Sequence, residues 1–173
     1  MNKTINKLDG ISIYFYAIVS IIVLIAQFWA LNKGLIFSDE AWYACLLRDQ
    51  PTGLATQFHL LFKNVFNGDL YSNRLCAYLI RLLGSIVLSI GIYIYDNNII
   101  KSGKSYWQYL FFIIIGQMVL GPISISYLHL SLIIGEICIG LLLLSLAKEK
   151  WFILVGCGFF VAFLIPIKIT SII

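Results

Sequence analysis

YWQYLFFIIIGQMVLGPISISYLHLSLIIGEICIGLLLLSLA, residues Tyr106 to Ala147, carries one formal charge, Glu136, in 42 residues. A helix that crosses a bilayer needs about 20 mostly apolar residues, so this run has the length of two. Gly121-Pro122-Ile123-Ser124-Ile125-Ser126 supplies the turn chemistry between them and predicts spans over 106–122 and 127–147. Lys148-Glu149-Lys150 closes the second. Beyond it, an apolar run from Trp151 to Pro166-Ile167-Lys168-Ile169-Thr170 predicts a span over 151–171. In the other direction, residues 96–105 read as a short polar loop with Lys101 and Lys104. Residues 75–95 are apolar except for Arg81 and are bounded by Arg74 and Asp96, which makes another span. In it Gly84 and Gly91, with Ser85 and Ser89, supply small residues that permit close helix contact.

At the start of the chain, residues 1–10 are polar and carry Lys3 and Lys7, and residues 11–31 are apolar with Gln27 the one strongly polar member. A signal peptide has a shorter apolar region and a small-residue cleavage site, so a retained signal anchor is expected. Tyr14 and Tyr16 at one end, with Phe28 and Trp29 at the other, suit the two interfacial belts. Residues 32–73 are the one long polar stretch. Ser38 is placed to cap a short helix whose first turn holds Asp39 and Glu40, and Pro51-Thr52-Gly53 breaks it. Leu54, Phe58, Leu61, Phe62, Val65 and Phe66 then fall on one face of a second helix, opposite Gln57, His59, Lys63 and Asn64, a pattern that lies flat at a membrane surface. Asn67-Gly68-Asp69 reads as the turn that ends it.

Composition agrees with this segmentation. With 61% hydrophobic residues, 12% charged residues and a mean hydropathy of +0.94, the chain has too little polar surface to enclose its apolar residues in water. The expected class is an all-α integral membrane protein: one transmembrane domain over residues 1–173, about five transmembrane helices, and an external loop carrying one or two interfacial amphipathic helices. The short segments between spans hold Lys3, Lys7, Lys101, Lys104, Lys148 and Lys150 on one side, whereas 32–73 is nearly balanced. The positive-inside bias puts the N-terminus in the cytoplasm and residues 32–73 on the outer face of a bacterial-type inner or plasma membrane. The net charge of +4 follows from those loops. No basic face interleaved with aromatics is present, so nucleic acid is set aside.

Cys45, Cys76, Cys138 and Cys157 show no CxxC or Cys/His spacing, and neither His59 nor His129 has a second ligand at metal spacing, so no metal site is read. Glycine-rich phosphate loops, nucleophile elbows and nucleotide fingerprints do not occur. Intramembrane charge is the sharper signal. Arg81 lies about 10 Å below the outer end at Arg74 and Glu136 about 13 Å below Tyr127 at 1.5 Å per residue, which suggests a structural ion pair between two spans.

Asp39-Glu40 reads in two ways: as a helix cap with a solvated first turn, or as a functional carboxylate pair held at the outer surface. A signal anchor, then Asp39-Glu40-x-x-Tyr43 in the first outer loop, an amphipathic helix, and a span opening on Arg74-Leu75 resembles the N-terminal part of the GT-C glycosyltransferases. The likeness is to the protein O-mannosyltransferase and aminoarabinose-transferase branch. Phe163-Leu164-Ile165-Pro166-Ile167-Lys168-Ile169-Thr170 is similar to a helix in that family ending in a lysine and a hydroxyl residue. The resemblance implies transfer of a sugar from a polyprenyl-phosphate donor to an acceptor on the outer face, with inversion at the anomeric carbon. It implies Asp39 and Glu40 as catalytic carboxylates, and Tyr43, Arg74, Arg81 and Lys168 as substrate-binding residues. The residues call for no cofactor, and a divalent cation is the one addition the resemblance leaves room for. Members of the family have further helices, often with a soluble domain. The expectation is therefore a chain inactive alone, either truncated or completed by a second polypeptide. Two other readings stand beside it: a non-enzymatic small polytopic interaction subunit, and, drawn from Arg81 and Glu136, a small transporter.

Overall fold

Within a bilayer no water is available to backbone N–H and C=O groups, and a long apolar run satisfies all of its own by forming a helix. The computed structural model describes residues 2–31, 69–120 and 127–169, and they form five helices with no strand among the described residues. These are α1 (Asn2–Ala30), α2 (Leu70–Tyr95), α3 (Tyr106–Leu120), α4 (Tyr127–Lys148) and α5 (Trp151–Ile169). Three stretches are long and apolar enough to cross a membrane: Ser12–Ala30, Tyr71–Ile100 and Leu130–Lys148. The expected amphipathic helices of 32–68 and the turn at 121–126 lie outside the described residues.

Helix α1 begins at Asn2, so the polar lead-in is helical as well, and its apolar stretch Ser12–Ala30 falls within the expected 11–31. The start of the next helix differs from the sequence reading. Helix α2 begins at Leu70 rather than at 75, because Asp69, read as the end of a turn, is its N-cap. The Asp69 carboxylate accepts from the backbone N–H of Tyr71 at 3.3 Å and of Ser72 at 3.0 Å, and from the Ser72 hydroxyl. Those bonds satisfy orphan donors of the first turn.

At its other end α2 widens into one π turn, Asp96–Ile100, in which the Lys101 N–H donates to the Asp96 carbonyl. Lys101 then takes a left-handed conformation, φ 59° and ψ 41°, which costs a residue with a Cβ about 1–2 kcal/mol. The Asp96 carboxylate is buried and accepts from the Ser102 hydroxyl at 2.6 Å and its N–H at 3.3 Å. Helix α3 starts with half of a capping box, the Gln108 side-chain oxygen accepting from Ser105 N–H at 2.9 Å.

Helix α2 is the hub, packed against α3 and most extensively against α4, while α5 packs on α4 and α1 on α3. Helices α2 and α4 run parallel, and small residues set their spacing. A Cβ added at Gly140 would stand 2.7 Å from the Val87 carbonyl oxygen, and one added at Gly91 would meet the Gly140 backbone. Gly84 lies against Ile133, Gly91 against Gly140, and Asn98 donates to the Ala147 carbonyl, three pairs each 49 residues apart and spaced by seven. A seven-residue step is the repeat of left-handed helix packing. Helices α4 and α5 form an antiparallel hairpin through Glu149, at φ 54°. The Cys138 and Cys157 thiols lie 3.8 and 3.4 Å from each other's carbonyl oxygens across it. Outward faces are apolar: Phe15, Ile18, Ile22, Ile25 and Trp29 on α1, and Trp151, Phe152, Val155 and Phe159 on α5, are all exposed. A water-soluble monomer rarely exposes so large an apolar surface.

Candidate functional site

Arg74 and Arg81 are seven residues, or two turns, apart on α2 and so share a face. Each reaches the C-terminal end of a neighbouring helix, where the last four carbonyls lack intrahelical partners and the dipole favours a cation. Arg74 Nη1 donates to the Leu31 carbonyl, just past the end of α1, at 2.9 Å, and Arg81 Nη2 donates to the Gln117 carbonyl in the last turn of α3 at 3.1 Å. Arg74 is buried, at 3% exposure, although it stands at the first turn of its helix. Tyr78, on the turn between the two arginines, donates its hydroxyl to the Leu24 carbonyl of α1 at 3.2 Å.

Gln117 joins the second arginine to a carboxylate. Its side-chain Nε2 donates to Glu136 Oε1 at 2.7 Å and Oε2 at 2.6 Å, while its Oε1 lies 2.8 Å from the Ser85 hydroxyl. The Ser85 Oγ is also 3.0 Å from the Arg81 carbonyl, so its one proton has two acceptors. Room for the carboxylate comes from α2 itself: a Cβ at Gly84 would stand 3.0 Å from Glu136 Oε2. Gln117 and Ser85 are buried, and Arg81 and Glu136 are half-buried. The cluster therefore draws α2, α3 and α4 together around one cation, one anion and the amide between them. Arg81 and Glu136, matched in depth by the sequence reading, meet through Gln117.

Gln117 went unnoticed in the sequence because it carries no charge. The available signal was an amide in an otherwise apolar run, which lipid cannot satisfy. Asp39, Glu40 and Tyr43 lie outside the described residues. Lys168 falls in the last turn of α5, and its side chain lies outside them too. What the described geometry brings together is the neck of the segment 32–68: α1 ends at Ala30, α2 begins at Leu70, and Arg74 bonds Leu31 just past the end of α1. Among the described residues no three His, Cys, Asp or Glu side chains are grouped to hold a metal ion. The chain matches no family model, no curated protein and no solved structure.

Proposed function

We propose that this chain is the N-terminal membrane portion of a GT-C-like glycosyltransferase that takes its sugar from a polyprenyl-phosphate donor at the outer face. Its five helices span the membrane, the N-terminus is cytoplasmic, and residues 32–73 are outside. The observation that supports this is the bridge from Arg74 to Leu31, which ties both ends of the segment carrying Asp39, Glu40 and Tyr43 to the arginine-bearing face of α2. A carboxylate loop and buried cations at one membrane boundary are what the reaction needs. Asp39 takes the proton of the acceptor hydroxyl, with Glu40 as its partner, and the oxygen attacks the anomeric carbon opposite the phosphate. The bond to the phosphate breaks, its electron pair leaves with polyprenyl phosphate, and the configuration inverts. Arg74 and Lys168 offset the developing phosphate charge. Arg81, bonded to Gln117, acts on it from deeper in the bundle.

A second reading, a non-enzymatic interaction subunit, is favoured by one observation: the Arg81, Gln117 and Glu136 contacts are made within the bundle, as in a structural lock. The test uses the reconstituted chain, alone and with helices encoded beside it, and a radiolabelled polyprenyl-phosphate hexose. Transfer that Asp39→Asn lowers by about 10²–10⁴-fold, with donor retention unchanged, supports the enzyme. Transfer at equal rates by wild type and Asp39→Asn overturns the catalytic assignment. A chain that neither retains the donor nor transfers it, alone or in company, is the subunit.

A further inference from the structure

We infer that the end of the bundle opposite the arginine face is a docking surface for anionic phospholipid headgroups of the inner leaflet, built jointly by residues 96–105 and 148–151. Asn98 at the end of α2 donates to the Ala147 carbonyl at the end of α4 at 3.0 Å, so the two connections form one surface. Exposed on it are Lys101, Lys104, Lys148 and Lys150. Against them stand two carboxylates. Asp96 is turned inward, 2% exposed and occupied by Ser102, and lies close enough to feel the charge of Lys104, while Glu149 is exposed. The charge that faces outward is therefore predominantly positive.

Apolar anchors lie in the same surface: Ile99 is 52% exposed, Ile100 63% and Trp151 74%. Two isoleucines next to two lysines, with a tryptophan beside two more, suit the boundary where acyl chains meet phosphates, with the apolar groups inserted and the ammonium groups at headgroup level. Water or a polyanionic protein would leave Ile99 and Ile100 without an apolar environment. Lys101 adds an independent sign. It fills a left-handed helix-end position, φ 59°, that glycine takes without strain, so a charged side chain stands where the backbone alone favours none. The surface rests on the proposed orientation, with this end of the bundle cytoplasmic, and is separate from sugar transfer.

A lysine near an anionic membrane changes partitioning by about fivefold. The test places the full chain in nanodiscs of phosphatidylcholine with about one tenth phosphatidylglycerol, in which both faces are open, and measures by native mass spectrometry the phosphatidylglycerol retained on release. Lys101→Gln/Lys104→Gln/Lys148→Gln/Lys150→Gln is expected to retain at least about tenfold less than wild type, and the corresponding four arginine substitutions to retain as much as wild type. Lys33→Gln/Lys63→Gln, with the same class of change in the outer segment, is expected to behave as wild type. Retention unchanged in the four-glutamine variant, or lost equally in the outer variant, overturns the assignment. Loss of a co-purifying acidic protein with lipid retention unchanged makes the surface a protein contact instead.

Discussion

Gln117 meets both oxygens of Glu136 with one amide nitrogen and lends its backbone carbonyl to Arg81, so a single neutral residue keeps two charges partnered, the anion through its side chain and the cation through its backbone. Replacing it with leucine keeps the volume and the Arg81 contact but removes both hydrogen bonds to the carboxylate and the Ser85 acceptor. Gln117→Leu is expected to cost about 2–3 kcal/mol, read as a lower melting midpoint of the detergent-solubilised chain. Glu136→Gln, which keeps shape and loses charge, should cost less; a Gln117→Leu midpoint equal to wild type would remove the cluster from any account of stability. The Asp69 cap makes a pH-dependent contribution. The Ser72 hydroxyl and N–H, and the Tyr71 N–H, hold its carboxyl below the usual carboxylate range. A depressed folded pKa gives stability that is complete above the unfolded value of about 4 and is lost as pH falls through the lower folded value. The midpoint gap between wild type and Asp69→Ala should therefore be constant above about pH 5 and close as the pH drops below about 4; a gap independent of pH would show that the charge of Asp69 plays no part in the cap.

Between elements, the close approach of α2 and α4 rests on glycines. Gly140→Ala would push a Cβ into the Val87 carbonyl at 2.7 Å and is expected to cost about 1–3 kcal/mol. Gly135, on the same helix, has no neighbour within 4 Å of an added Cβ, so Gly135→Ala should be neutral or stabilising by up to about 1 kcal/mol from helix propensity. Thermal melts of the two variants side by side check this; equal effects would mean that the interface is looser than the backbone contact implies. The small residues Gly84, Ser85, Ser89 and Gly91 were legible in the sequence as a face open to close packing. Their partner was not, because Gly140 stands alone among leucines and isoleucines, and only the seven-residue step shared with Gly84 and Asn98 singles it out. The apolar runs themselves were plain, since within a single segment helix is what satisfies a backbone in lipid, whereas the start of α2 depends on one side chain, Asp69, and lies five residues before the expected 75.

At the scale of the molecule, the expected orientation follows from the lysines. In a background with the native cysteines replaced by alanine, Lys33→Cys should react with a membrane-impermeant maleimide in intact cells, and Lys104→Cys only after permeabilisation. The reverse pattern would invert the topology and move the carboxylate segment to the cytoplasm. The candidate chemistry was legible as the motif Asp39-Glu40-x-x-Tyr43 and as charges inside spans, but the coupling of those charges through α3 was not, because it depends on which helices become neighbours. The parallel pairing of α2 with α4 also has a consequence in time. These two helices are separated in the chain by α3, so during synthesis α2 enters the membrane with Arg81 before Gln117 exists and well before Gly140 leaves the ribosome. For that interval the arginine has none of its final partners. A chain stopped after residue 105, before α3, would remain in that state, with Gly91 and Arg81 both facing lipid, and pulse-chase labelling should find it degraded faster than one stopped after residue 150, in which α2 has met its mate.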